Sequence, residues 1–404
     1  MGTQALRARK LETTASLSDT ASLPQQVPAY VNNPLFTEPG EVVRERLLKM
    51  DWSFTDDETT FLTHDIHPYP AKFIPQIPGT LISLLSGHGE LVVDPFGGSG
   101  TTALEAIRLG RRALSIDANP VASLIGKTKT ARLDNDASTE LSGLHALLSS
   151  EALSLPKDPE VLLSRYSAFI PEIAHREKWF ADTATGELAL IRFRMNELES
   201  QTAKQVAQFA LSRMALKVSF QDSETRYKSV PRAVKTGEAL SRYLKELESI
   251  LQALRGIGSN TCYGVSSFIT GDIRTLSDSD LPPLSADLVV TSPPYGNAYD
   301  YHLYHRFRLL WLGYDPIALG HVEIGSHLRH QRDGSGFESY LEDMLAALKR
   351  IHSALKPGRY AALVIGDALY KGTLHSSSEV LAAHAEELGF DLAFNITRPI
   401  HRTK

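Results

Sequence analysis

The run ELVVDPFGGSGTTALEAIRLGRRALSID, residues 90 to 117, restricts the folds open to this chain more than any other stretch. A short apolar strand ends on Asp94, and three glycines (Gly97, Gly98, Gly100) lead into a helical pattern that stops at Gly110. A second apolar strand ends on Asp117, and ANPVASLIGKTK opens another helix behind Pro120. Strand, helix, strand, helix at this spacing predicts a parallel sheet of the doubly wound kind, an α/β fold. Glycines permit positive φ and let a ligand approach the backbone, while the following helix N-terminus offers free N–H groups.

The same rhythm returns after residue 264 in SSFITGDIRTL, ADLVVTSPPYG and YAALVIGD. Between them, residues 131 to 264 carry long helical patterns with no clear strand series, and predict a mainly helical insertion. Residues 1 to 40 are rich in Ser, Thr, Pro and Gln and predict a mobile tail. The expected division is thus a tail at 1–40, a catalytic domain at 41–130 plus 265–404, and the insertion at 131–264. LGFDLAFNITRP is the last strand material, and RPIHRTK ends the chain where further strand is expected.

The glycine turn is not a phosphate clamp, because no lysine follows Gly100. Asp94 ends the first strand, where a carboxylate suits an amino group. Asp117 ends the next, where an acid takes ribose hydroxyls in doubly wound folds. A polyphosphate cofactor would be repelled by Asp94, whereas one carrying an ammonium, a sulfonium and a ribose would not. The pair points to S-adenosylmethionine rather than NAD or ATP.

DPFGGSGTT followed by TSPPYG at 291–296 resembles the motif pair of the DNA amino-methyltransferase family, and HPYPAKFIPQIP at 67–78 is similar to a motif preceding the cofactor motif in some members. The resemblance covers about residues 64–130 and 265–370. It implies a Rossmann-like class I methyltransferase with a mixed, mostly parallel sheet, S-adenosylmethionine as cofactor, and double-stranded DNA as partner, alongside a separately acting restriction endonuclease. It assigns catalysis to Ser292, Pro293, Pro294 and Tyr295. An exocyclic base amine is a poor nucleophile, and acceptors gripping its N–H groups aim its lone pair. Ser292 Oγ and the Pro293 carbonyl fill that role, held by the prolines' fixed φ. Tyr295 offers a face for an extruded base.

In this family Ser at the first motif position favours the 4-amino group of cytosine, and Asp or Asn the 6-amino group of adenine. Adenine is therefore the alternative target, and an RNA amino group a more distant one. Methylation at the cytosine 5-carbon requires a cysteine nucleophile behind a proline, whereas the single cysteine, Cys262, follows Thr261. One cysteine also rules out an internal disulfide framework and a cysteine-rich zinc site, and fits a cytoplasmic setting.

By the same resemblance the cofactor set comprises Asp94, Phe96, Gly97, Gly98, Gly100, Thr101, Asp117, Ala118, Asp272, Ile273, Lys72 and Phe73. Asp272 would meet the adenine amine, the Ile273 N–H the ring, Lys72 the cofactor carboxylate, and Phe73 its apolar edge. For DNA, the insertion offers Lys228, Arg232 and Lys235, and the aromatic-rich stretch after the catalytic motif offers Arg306 and Arg308. A net charge of −5 argues against a protein coated in nucleic acid but is compatible with basic residues confined to one cleft. HLYHR holds no third ligand and predicts no metal site.

Overall fold

The computed structural model describes residues 2–8, 40–72, 74–224, 226–258, 263–328 and 336–398. Eleven strands are present among them. They are β1 Gly2–Ala8, β2 Leu91–Asp94, β3 Arg112–Asp117, β4 Gln221–Ser223, β5 Arg226–Ser229, β6 Ser266–Thr270, β7 Ala286–Thr291, β8 Leu355–Ile365, β9 Ala368–Tyr370, β10 Thr373–His375 and β11 Phe390–Thr397. Seven form one sheet in the order β11-β1-β8-β7-β2-β3-β6. The five from β8 to β6 run parallel.

Why these segments pair this way follows from their burial. All six residues of β7 are buried, and they alternate between two cores. Val289 joins the layer of helices Phe337–Ala354 and Ser377–Glu387, while Leu288 and Val290 join that of Gln76–Leu85 and Thr101–Arg108. A strand covered on both faces reads as an unbroken apolar run, and that is why the sequence announced it.

The N-terminus corrects the expected tail. β1 pairs antiparallel with both β8 and β11, so residues 2–8 belong to the sheet. Residues 9–39 and Cys262 lie outside the described residues.

The insertion is mainly helical, with helices Asn135–Ala152, Asp182–Asn196, Gln201–Ala215 and Glu238–Gly258, and it adds the β4–β5 hairpin. The long helical pattern over 185–218 breaks where Ser200 Oγ accepts the Ala203 N–H at 3.2 Å and caps a new helix. Leu188, Phe209 and Leu247 share one core with Val121 and Ile125 of helix Pro120–Lys129 and with Phe307 and Trp311 beyond the catalytic motif. The insertion therefore has no core of its own; it thickens one flank of the catalytic layer.

Candidate active site

Strands β2, β3, β6 and β7 release their chains at one edge of the sheet, and the loops there enclose a cleft of about 840 Å³ open to solvent. Ligands bind at such carboxyl ends because the diverging loops leave a crevice. The glycine turn forms one wall. Gly98 sits at φ +48° and Gly100 at φ +74°, conformations that burden any residue with a Cβ. A Cβ on Gly100 would stand 2.6 Å from the Cα of Gly126, so this glycine serves the crossing of helices Thr101–Arg108 and Pro120–Lys129. It does not line the cleft, whereas Phe96, Gly97, Gly98, Thr101 and Ala118 do.

The two strand-end acids differ. Asp117 lines the cleft, with Oδ2 accepting the Gly98 N–H at 2.7 Å and Oδ1 the Asn119 N–H at 2.8 Å. Burial pushes its carboxyl up to about 6 against those two hydrogen bonds. Asp94 is only 2% exposed and is not on the cleft wall. Thr291 Oγ1 donates to its Oδ1 at 2.6 Å and the Phe96 N–H at 3.2 Å, and burial raises its carboxyl to about 6 as well. The expected partner of a cofactor amine is thus a tie between the ends of β2 and β7.

Asp272 and Ile273 reach the cleft as expected. Both Asp272 oxygens are gripped by Arg274, whose Nε lies 3.0 Å from each and whose other arm meets Asp343. The Arg274 backbone N–H also donates to Oδ1 at 2.9 Å and Nη2 to Oδ2 at 2.6 Å, so each Asp272 oxygen already meets two donors. Lys72 also lines the cleft, but its Nζ is paired with Asp65 Oδ1 at 2.8 Å. Phe73 lies outside the described residues.

Several wall residues escaped the sequence. Tyr69 lies over Gly98, where an added Cβ would come 3.3 Å from its ring, and it stacks on Tyr301 with centroids 5.8 Å apart. Tyr69 belongs to HPYPAKF, so its motif was visible although its role was not. Glu323 had no signal at all. It lines the cleft, its carboxylate meets the Tyr301 N–H, and its Oε2 lies 2.5 Å from His302 Nδ1. It therefore caps the turn that carries Tyr301.

At the catalytic motif, Ser292 and Pro294 line the cleft, while Pro293 is buried and is not on its wall. Ser292 Oγ donates to the Val364 carbonyl at 3.0 Å. With its proton committed there, the hydroxyl presents lone pairs to anything bound in the cleft. Tyr295 Oη stands 3.5 Å from Ser292 Oγ, and its ring packs beside the core under β8. Tyr340 Oη donates to the Pro294 carbonyl at 3.1 Å, which fixes the loop from below.

The basic candidates separate. Arg308 is fully buried, with its Nε on the Ser212 carbonyl at 3.1 Å and Nη2 on Glu224 at 2.6 Å. It holds the insertion against the catalytic motif and cannot touch a phosphate, which corrects its assignment to DNA. Arg232 is paired with Glu238 at 2.9 Å. Lys228 and Lys235 are exposed, and Arg306 lies over the Tyr227 ring at 5.2 Å, joining the β4–β5 hairpin to the chain beyond the catalytic loop.

A five-stranded parallel core with a reversed strand near one edge, and an acid-lined cleft at its glycine turn, defines a Rossmann-like methyltransferase fold. Residues 27–127 match the family model described as DNA methylase. The chain is 24% identical over 437 residues to the Type II methyltransferase M.MjaII of Methanocaldococcus jannaschii, covering 86% of this chain and 81% of that protein. It is 27% identical over 277 residues to the Type II methyltransferase M.MvaI of Kocuria varians, covering 64% of this chain and 59% of that protein. A shorter match, 37% identical over 75 residues, covers 19% of this chain and 22% of the Type II methyltransferase M.PvuII of Proteus hauseri. These matches and the fold make the chain similar to DNA amino-methyltransferases. No helix of the described residues is long and apolar enough to cross a membrane.

Proposed function

We propose that this chain transfers a methyl group from S-adenosylmethionine to the exocyclic 4-amino group of cytosine in duplex DNA, on a base turned out of the helix. The observation that carries it is Ser292, whose hydroxyl proton is held by the Val364 carbonyl at 3.0 Å. Adenine's 6-amino group is the second target the same loop could accept.

The cleft suits this cofactor by charge. Asp117, Asp272 and Glu323 face it, and the lysine on its wall is already paired with Asp65. Asp272 is neutralised by Arg274, so the balance rests on Asp117 and Glu323, whose carboxylates favour a cationic, hydroxyl-bearing ligand over a polyphosphate. When bound, S-adenosylmethionine supplies an electrophilic methyl group on a sulfonium sulfur. Asp117 accepts from ribose hydroxyls, and Tyr69 and Phe96 cover the apolar parts of the ligand. Ser292 and the Pro293 carbonyl accept the two N–H bonds of the base amine, draw its nitrogen toward tetrahedral geometry, and aim the lone pair into the cleft. The sulfonium would supply the methyl group, and the part of Ser292 and the Pro293 carbonyl would be to hold the amine until its surplus proton leaves to solvent. Tyr295 stacks on the extruded base beside Ser292. Lys228, Lys235 and Arg306 receive the DNA backbone. A type II arrangement, in which a separate nuclease cuts the unmodified sequence, fits the relatives' names.

The test is mass spectrometry of nucleosides from unmethylated genomic DNA after incubation with the protein and S-adenosylmethionine. A 4-methylcytosine peak is expected. A 6-methyladenine peak would move the target to adenine, and no methylated base would overturn the DNA assignment.

A further inference from the structure

Beside the catalytic loop stands a hairpin whose outward face is wrong for a surface exposed only to water. β9 and β10 pair with Leu369 directly opposite Leu374, and these two side chains are 56% and 67% exposed. Their neighbours point the other way. Ala368 and Tyr370 are buried, and His375 stacks on Phe337 with centroids 4.4 Å apart. Strand alternation thus anchors one face in the core and projects a leucine pair from the other.

The tip is a two-residue turn with Lys371 at φ +48° and Gly372 at φ +82°, the geometry of the tightest hairpin turn. A lysine held in that conformation marks a fixed shape.

The hairpin is also tied to the residues that would meet the base. Asn297 Nδ2 donates to the Leu369 carbonyl at 2.6 Å, and Asn297 Oδ1 lies 2.6 Å from His327 Nδ1. Gly296 lies so close to Tyr370 that an added Cβ would come 2.6 Å from its hydroxyl. Hairpin and catalytic loop are therefore one body, with the leucines fixed relative to Ser292.

We propose that Leu369 and Leu374 form a wedge that enters the DNA duplex at the target and fills the stack when the base leaves it. The assignment rests on the proposed action on duplex DNA. Apolar side chains inserted between base steps offset the cost of unstacking, and a leucine pair next to a base-accepting loop matches that need in chemistry and position. A lysine at the tip suits the neighbouring phosphates.

The test compares the wild type with the double variant Leu369→Ala/Leu374→Ala on two synthetic duplexes built around a site that the wild type methylates. One is fully paired; the other places an abasic position opposite the target base, which is then already unpaired. The expected result is a loss of about tenfold or more on the paired duplex, where the wedge must offset unstacking, and near-wild-type rates on the abasic one. Equal rates on the paired duplex, or equal losses on both, overturn the wedge. Unchanged S-adenosylmethionine affinity by calorimetry shows the double variant is folded, and Leu369→Met/Leu374→Met should restore the paired rate. A wild type that methylates no DNA base overturns the functional reading and the wedge with it.

Discussion

The glycine turn after β2 and the double-proline loop after β7 leave the sheet side by side, since Val92 and Val93 pair with Leu288 and Val289. They meet opposite demands with opposite residues. The first must bend the backbone around a ligand and into a helix, and it uses Gly98 at φ +48° for the one and Gly100 at φ +74° for the other. The second must hold acceptors still, and it uses prolines that fix φ and lack an N–H. A buried hydrogen bond from Thr291 to Asp94 at 2.6 Å joins the two. The lesson is that a motif residue can serve the relation between two sites. Asp94 stands in the cofactor motif, yet its carboxylate couples the turn to the loop.

The contrast can be broken at the turn first, where the largest loss is expected. Gly100→Ala forces a Cβ to within 2.6 Å of the Gly126 backbone at positive φ, and should cost about 3 kcal/mol of stability. An unchanged thermal midpoint would show that the turn does not need its glycine there. At the loop, Ser292→Ala should slow methyl transfer about a hundredfold, the scale of a misaligned reactant, while cofactor affinity and midpoint stay put. Tyr295→Ala should cost about tenfold through lost stacking. Full turnover in both variants would detach the loop from the chemistry.

The two acids give a finer contrast. Asp117→Asn should weaken S-adenosylmethionine about tenfold by calorimetry, whereas Asp94→Asn, which can still accept from Thr291, should leave affinity nearly unchanged. A reversed order would return the ligand role to Asp94. The smallest effect is on pH. Asp117 has its carboxyl raised to about 6, so it is ionised at pH 7 and gains a proton as pH falls through 6. Cofactor affinity should therefore decline below pH 6, by at most about tenfold per unit, and the decline should vanish in Asp117→Asn. A flat wild-type profile between pH 7 and 5 would remove Asp117 from the ligand set.

What the sequence determined by itself was the parallel sheet, the glycine turn at 97–100 and the acid at 117, while Asp272, Ile273 and Ser292 were placed at the cleft by the family resemblance. These are local properties. A strand buried on both faces must be continuously apolar, a turn at positive φ must be glycine, and a rigid acceptor loop must limit its N–H groups, so each is written in adjacent residues. What only the tertiary structure decided depends on partners far apart in the chain. β1 lies between β8 and β11, more than 350 residues from its neighbours' pairing positions. Arg308 is a buried strut because Ser212 and Glu224 converge on it, although its sequence neighbourhood resembled a phosphate-binding helix. Glu323 became a wall of the cleft, and Asp94 left it, through contacts that no spacing encodes. Residue pattern reports how much of a segment is buried and which backbone shapes it tolerates. Which charge is neutralised, and by what, is fixed only when distant segments are packed against one another.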